Sequence, residues 1–259
     1  MDKSLLLPRE KYSEVSMAKG KLPTFEIEKH GQVLFYFGAN HSPDPNNEQY
    51  SKLREYWQKF LDKTQRKNCI VLVETWKRPV LKSEEEAIRN GNEGTLITLL
   101  ADKEEIQTEC PELDRKEIIE SLLTQFPKDR VVFQIFCSQL KGWQRFPEPR
   151  PDPINSFNWI KKLTGWNDYD FSIEHMLKIY EEIFGNKITR EEMLNIKVDF
   201  SNPNLEGPVN SIARASSDIR DLRIASEIER YWNEGKNIFV VFGNGHLIIE
   251  EPALKATLN

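Results

Sequence analysis

One phrase occurs twice in this chain and narrows what the chain can fold into. Residues 33–41 read Val-Leu-Phe-Tyr-Phe-Gly-Ala-Asn-His, and residues 238–246 read Ile-Phe-Val-Val-Phe-Gly-Asn-Gly-His. Each is an apolar, β-branched and aromatic run that breaks at Phe-Gly-x-x-His. Continuous apolar runs of this length are expected of strands covered on both faces, the pattern of a parallel sheet. The Gly is read as a sharp backbone exit, with the His on the loop just past the carboxyl end of its strand. In open α/β sheets ligands bind at that edge. The expectation is that the two strands lie side by side and turn His41 and His246 into one cleft.

The chain between the copies supports an α/β reading. Residues 24–29 alternate apolar and polar, and His30-Gly31 turns them into the first His strand, predicting a hairpin. Tyr50, Leu53, Trp57, Phe60 and Leu61 fall on one helical stripe within residues 47–62. Cys69–Val73 is a further buried strand that ends at Glu74, so Glu74 belongs to the same edge as His41. Helices are expected at 82–90 and 94–106, punctuated by Gly91-Asn-Glu-Gly94, and at 114–125, where Asp114 and Glu117 make a capping box. Residues 129–145 are open between a strand around Val131–Phe136 and an amphipathic helix, which their length favours; 146–156 read as a Pro-rich loop or flap, and 172–184 as a helix stopped by Gly185. The last helix, about 214–233, carries Arg220 and Asp221 near its start. Residues 1–22 read as an arm or loop, and the residues after Glu251-Pro252 as a short tail. The predicted fold is a mixed, mostly parallel central sheet flanked by helices, with a helical insertion in the middle of the chain. All 259 residues are taken as one α/β domain, with its core at about 24–105 and 214–254 and an insertion or lid at about 106–200.

Composition removes several function classes. A net charge of −5 with scattered basic residues argues against a nucleic-acid or anionic-membrane surface. Three widely spaced cysteines, Cys69, Cys110 and Cys137, make neither a disulfide framework nor a zinc motif. Cys69 and Cys137 are read as packing residues, and a reducing cytoplasm as the expected compartment. The apolar run at Leu5–Leu7 is too short for a signal peptide, and no stretch approaches the ~18 apolar residues of a membrane span.

Two imidazoles and one carboxylate at one sheet edge form the inventory of a metal site or an acid/base site. His41, Glu74 and His246 would leave open positions on a divalent ion for water and substrate. Without a metal, one His would take a proton from water, with Glu74 fixing its tautomer. Arg220 is the expected clamp for a carboxylate or for transition-state charge. Glu93, Asp221, Asn40 and Asn244 are the expected substrate contacts. A lone His at a strand end is usually a loop residue, and Arg220-Asp221 reads almost as well as a helix-surface pair; the duplication sets His41 and His246 apart. His175 and the aromatic run 157–171 read as packing, and His30 as a turn residue.

The ordered set Gly38-Ala-Asn-His41, Val-Leu-Val-Glu74, Arg220-Asp221 and Gly243-Asn-Gly-His246 resembles the TraB/PrgY–Tiki superfamily, with which erythromycin esterase-like and ChaN-like haem-binding proteins are grouped. The resemblance spans roughly residues 30–105 and 215–254; residues 106–200 carry none of its marks. It implies an α/β core with the paired His at its centre, and a hydrolase that activates water against an ester or peptide bond, with or without a divalent metal. The alternatives it brings are a non-catalytic haem or metal carrier, haem being the weaker of the two, and a regulatory protein that sequesters a peptide. The expected partner is a small-molecule or peptide substrate.

Overall fold

The computed structural model describes residues 1–74, 80–144 and 152–259. They gather into two compact units, one made of Met1–Glu112 with Arg220–Asn259 and the other of Leu113–Ile219.

The first unit is built on a five-stranded sheet. Its strands are β1 (Thr24–Lys29), β2 (Gln32–Ala39), β3 (Cys69–Val73), β4 (Gln107–Glu109) and β5 (Asn237–Gly243), in the order β1-β2-β5-β3-β4. β1 pairs antiparallel with β2, and every other pairing is parallel. The hairpin turns on His30 (φ 53) and Gly31 (φ 82), both left-handed, as a two-residue connection requires. The two His strands are neighbours, and β3 flanks β5 on its other side, so all three carboxyl ends open on one edge.

Helices cover both faces of the sheet. In chain order the helices of this unit are α1 (Tyr12–Lys19), α2 (Gln49–Thr64) and α3 (Glu84–Lys103). The second unit holds α4 (Arg115–Leu123), α5 (Lys128–Trp143), α6 (Asn158–Thr164), α7 (Ile173–Phe184) and α8 (Arg190–Leu194). α9 (Asn210–Asn233) begins in the second unit and from Arg220 belongs to the first, which α10 (Asn244–Leu258) completes. Side chains alternate along each strand. Phe35, Phe37, Phe239 and Val241 pack under α2 and α3, whereas Leu34, Tyr36, Val240 and Phe242 pack under α9 and α10. Each such fully buried large side chain contributes roughly 1.5–3 kcal/mol, which makes the sheet the firmest part of the unit.

The register carries one further fact. Gly38 lies opposite Phe242, and Ala39 opposite Gly243, so the repeated motifs are slipped by one rung. With a side-chain period of two, one rung turns matching positions to opposite faces. Phe37 and Phe242, the same letter in the two copies, therefore point into different layers.

Several expectations change. The first 22 residues are not loop alone: Lys3–Leu5 and Arg9–Lys11 are short 3-10 turns and α1 follows, with Leu6, Leu7 and Tyr12 tying the segment to α10. The tail expected after Pro252 is helical, because Pro252 sits inside α10. Proline takes one donor from the helical ladder. Nearby, the Ile249 carbonyl accepts the Leu7 N–H at 2.9 Å. The short strand β4 has no alternation that could announce it. Arg220 and Asp221 sit mid-helix, since α9 starts at Asn210.

The second unit packs around Phe133, Phe136, Phe157, Ile160, Met176 and Ile179. The aromatic run lies here: Phe157 stacks on Phe136 at 5.2 Å, and His175 meets the Tyr169 ring edge-on. The Pro-rich flap lies, for residues 146–151, outside the described residues. Among the described residues no helix is long and apolar enough to cross a membrane.

Candidate functional site

The parallel strands β2, β5 and β3 deliver His41, His246 and Glu74 to one edge, with Glu74 between the two rings. Its N–H donates to the Val241 carbonyl at 3.2 Å, continuing the β3–β5 ladder by one step. His41 Nε2 lies 3.3 Å from Glu74 Oε2, and His246 Nε2 lies 3.8 Å from Glu74 Oε1. The Gly243 N–H donates to Glu74 Oε2 at 2.8 Å.

Behind each ring stands a buried carboxylate. His41 Nδ1 is 2.5 Å from Glu93 Oε1, and His246 Nδ1 is 2.5 Å from Asp221 Oδ1. Glu93 and Asp221 are only 3% and 1% exposed, while the His41 ring is 46% exposed. The site is thus two imidazole–carboxylate dyads that present Nε2 to a shared acid. The carboxylate behind His41 comes from α3 and the one behind His246 from α9, which pack on opposite faces of the sheet.

Local sequence explains how Glu93 arrives there. α3 is broken at Asn92 (φ 67, ψ −158), so its second half starts afresh at Glu93, with the Gly94 N–H donating to Asn92 Oδ1 at 3.1 Å. A side chain on Gly94 would stand 3.4 Å from the Glu74 carbonyl. The motif glycines also serve close approach. Neither takes a left-handed conformation; that belongs to His41 itself (φ 47). A Cβ on Gly243 would fall 2.8 Å from His41 Nε2, and one on Gly38 would fall 3.0 Å from the Pro23 carbonyl and 3.1 Å from Asn244 Cα. His246 is not on a loop but in the first turn of α10.

Arg220 is already engaged. Its Nε donates to Glu112 Oε1 at 2.8 Å, its Nη2 contacts the same oxygen, and Nη2 also reaches Glu74 Oε1 at 3.3 Å. It orients the central carboxylate rather than facing outward. Asn40 and Asn244 bond to each other at 2.8 Å, and Asn40 also donates to the Lys21 carbonyl at 2.7 Å, so they tie the exit of β2 to the start of α10.

The electrostatics follow from this geometry. Hydrogen bonds to Glu74 and then to Glu93 push the His41 pKa up to about 10, against the cost of partial burial. His41 is an imidazolium at neutral pH, donating from both nitrogens. Burial alone would raise the Glu74 carboxyl, but the His41 hydrogen bond, the electrostatic pull of the nearby His246 and His41 rings and the Gly243 N–H outweigh it and hold it far below the usual carboxylate range. Deeper in, Glu250 is driven well above that range by burial and by the Asp221 charge, and it accepts the Tyr36 hydroxyl at 2.9 Å. Burial and Glu250 together raise the Tyr36 phenol.

Among the described residues two groups bring donor atoms within 4.8 Å of one another, Glu74 with Glu112 and His246, and Asp221 with His246 and Glu250. At the first the Arg220 guanidinium already contacts both carboxylates, so a divalent ion there must displace it. For His41 to ligate an ion, it must give up the proton it shares with Glu74. Comparison of the chain with family models, with curated proteins and with solved structures gave no match.

Arg9, Glu112, Tyr36 and Glu250 form part of this network, and the first three carry no mark in the sequence that sets them apart. Glu250 had one available signal: it lies four residues after His246, on the same face once that segment is helical.

Proposed function

We propose that this edge is a hydrolytic centre in which His246 takes a proton from water and His41 acts as the acid. The observation that supports it best is the shared arrangement of the two rings. Each has Nδ1 backed by a buried carboxylate and Nε2 directed at Glu74. A ring whose Nδ1–H is held by a carboxylate keeps its lone pair on Nε2, which is what a general base requires. Asp221 Oδ1, 2.5 Å from Nδ1, fits His246 for that form. The 3.8 Å between its Nε2 and Glu74 Oε1 is too long for a direct hydrogen bond and suits a water touching both.

His41 supplies the complementary part. It is the most open group of the centre, and it carries a proton and a positive charge. On this reading its Nε2–H turns from Glu74 to the carbonyl oxygen or leaving group of an ester or amide, stabilising developing negative charge and then donating its proton; the proton His246 took from water returns to His41 through solvent and resets both rings. Glu74, held so far below its usual range, is a poor base; it steadies the imidazolium and orients the water. Arg220 keeps Glu74 in place. The acids and bases needed for this cycle are all protein side chains, and chelation is expected to leave turnover intact. The resemblance to the TraB/PrgY–Tiki superfamily points to the same class of chemistry through the same residues. A small ester or peptide is the substrate class proposed.

Hydrolysis of aryl esters and peptide anilides, followed for the wild-type chain, H246A and H41A, tests this reading. Loss of general-base catalysis is expected to lower kcat by roughly 10²–10⁴-fold with the melting temperature little changed. Wild-type turnover that survives H246A would end the proposal.

A further inference from the structure

The carboxylate behind His246 is itself held from behind. Asp221 has two oxygens: Oδ1 takes the His246 ring at 2.5 Å, and Oδ2 takes Arg9 Nη2. Arg9 comes from the N-terminal arm, far from either motif in sequence, and its side chain is only 8% exposed. A buried guanidinium on a buried carboxylate is a directional contact that fixes the plane of the acceptor.

The arm is anchored on both sides of that contact. Leu6 packs against Ile249 and Ala253 of α10 together with Leu222 of α9. The Leu7 N–H donates to the Ile249 carbonyl at 2.9 Å, and the Met1 amino group pairs with Glu229 of α9 at 2.8 Å. Beyond Arg9, Lys19 pairs with Glu251 of α10. His246 stands on α10 and Asp221 on α9, so the arm bridges the two helices whose relative position sets the dyad.

We infer that Arg9 is a positioning residue for His246: it fixes Asp221, and through Asp221 it holds the ring in the tautomer that presents a bare Nε2 to Glu74. The inference rests on the hydrolytic reading only where it concerns rate; the state of the ring is open to direct measurement. Without Arg9, the Asp221 carboxylate loses a buried guanidinium that fixes its plane, and its hold on the His246 ring loosens. That releases Nδ1–H, and the neutral ring then divides between its two tautomers.

The test uses the full chain as wild type, R9M, R9K and K19M, the last breaking another arm contact that does not touch the dyad. Long-range nitrogen–proton correlation spectra at about pH 8 report the His246 tautomer, and steady-state kinetics on an aryl ester report function. Expected in R9M is a mixed His246 tautomer and a kcat lowered about 100-fold with KM within about twofold, as for a catalytic group out of place. R9K, which retains charge and one donor, is expected to recover to within about tenfold of wild type, and K19M to match wild type in both readouts. If R9M is too unstable to study, the R9K spectrum decides: a partial shift of tautomer supports the inference. A wild-type tautomer in the Arg9 variants, or a rise in KM at unchanged kcat, overturns it. Should the wild-type chain hydrolyse nothing while R9M still scrambles the ring, the positioning role stands and the hydrolytic reading falls.

Discussion

Replacing Gly243 by Ala probes the centre with one carbon atom. The backbone there (φ −53, ψ 144) suits any L-residue, so the substitution introduces no conformational strain. The added methyl would stand 2.8 Å from His41 Nε2, 3.3 Å from Glu74 Oε2 and 3.4 Å from His41 Cε1. Ordinary contact requires the ring to retreat by roughly half an ångström. The His41–Glu74 contact is already 3.3 Å, so a retreat of that size ends it as a hydrogen bond. The ring is 46% exposed and can swing outward, so the cost to folding is expected to stay under about 1 kcal/mol. The Glu74 bond is the largest cause of the raised His41 pKa, so that pKa must fall from about 10. A proton donor displaced on this scale is expected to cost about 10–100-fold in kcat. A ring-proton titration of His41 by NMR and steady-state kinetics, run on wild type and G243A, measure the two effects separately. A G243A protein with the wild-type His41 titration and full turnover would refute the placement of this ring.

The remaining predictions concern proton linkage and packing. The His41 pKa is higher in the folded chain than its ordinary value, so its stabilisation is complete below about pH 6.5 and fades as pH rises toward about 10. Discounted for the ring's exposure, this amounts to roughly 1–2 kcal/mol; urea unfolding at the two ends of that window should show it for wild type and lack it for H41Q. G38A places a methyl against the Pro23 carbonyl at 3.0 Å and Asn244 Cα at 3.1 Å, backbone atoms that cannot swing aside, and is expected to lose about 1–3 kcal/mol by urea melts. Burial pushes the Glu250 carboxyl up toward its uncharged form, so E250Q is expected to fold within about 1 kcal/mol of wild type, whereas E250A strands the Tyr36 hydroxyl and costs roughly 1–3 kcal/mol; equal stability of the two variants would contradict this.

Most of the sheet was legible because its strands are buried on both faces and say so in long apolar runs. Cys69–Val73 and the hairpin turn at His30-Gly31 lie where the residues place them. The helix over 129–145 was legible too, since its apolar residues continue past the length of a strand. Elements fixed by tertiary contact were not. β4 is three residues long, and α10 carries a proline that reads as a stop. In the site, the two His and Glu74 could be placed at one edge from strand ends alone. The roles of their neighbours could not, because pattern shows which residues share an edge and not which atom faces which. Glu93 and Asp221 read as substrate contacts, yet they stand behind the rings at Nδ1. Arg220 read as an outward clamp, yet Glu112 holds it, and no periodicity ties residue 112 to residue 220.

The one-rung slip between the twin strands has a stereochemical result. Two copies of a phrase aligned rung for rung would set their imidazoles on the same side of the sheet, as duplicates able to stand in for one another. Offset by a single residue, the strands stand beside rings whose backing carboxylates come from helices on opposite faces of the sheet. On the proposed chemistry one ring takes a proton and the other gives one, so a repeated word in the sequence yields two unlike hands rather than a spare.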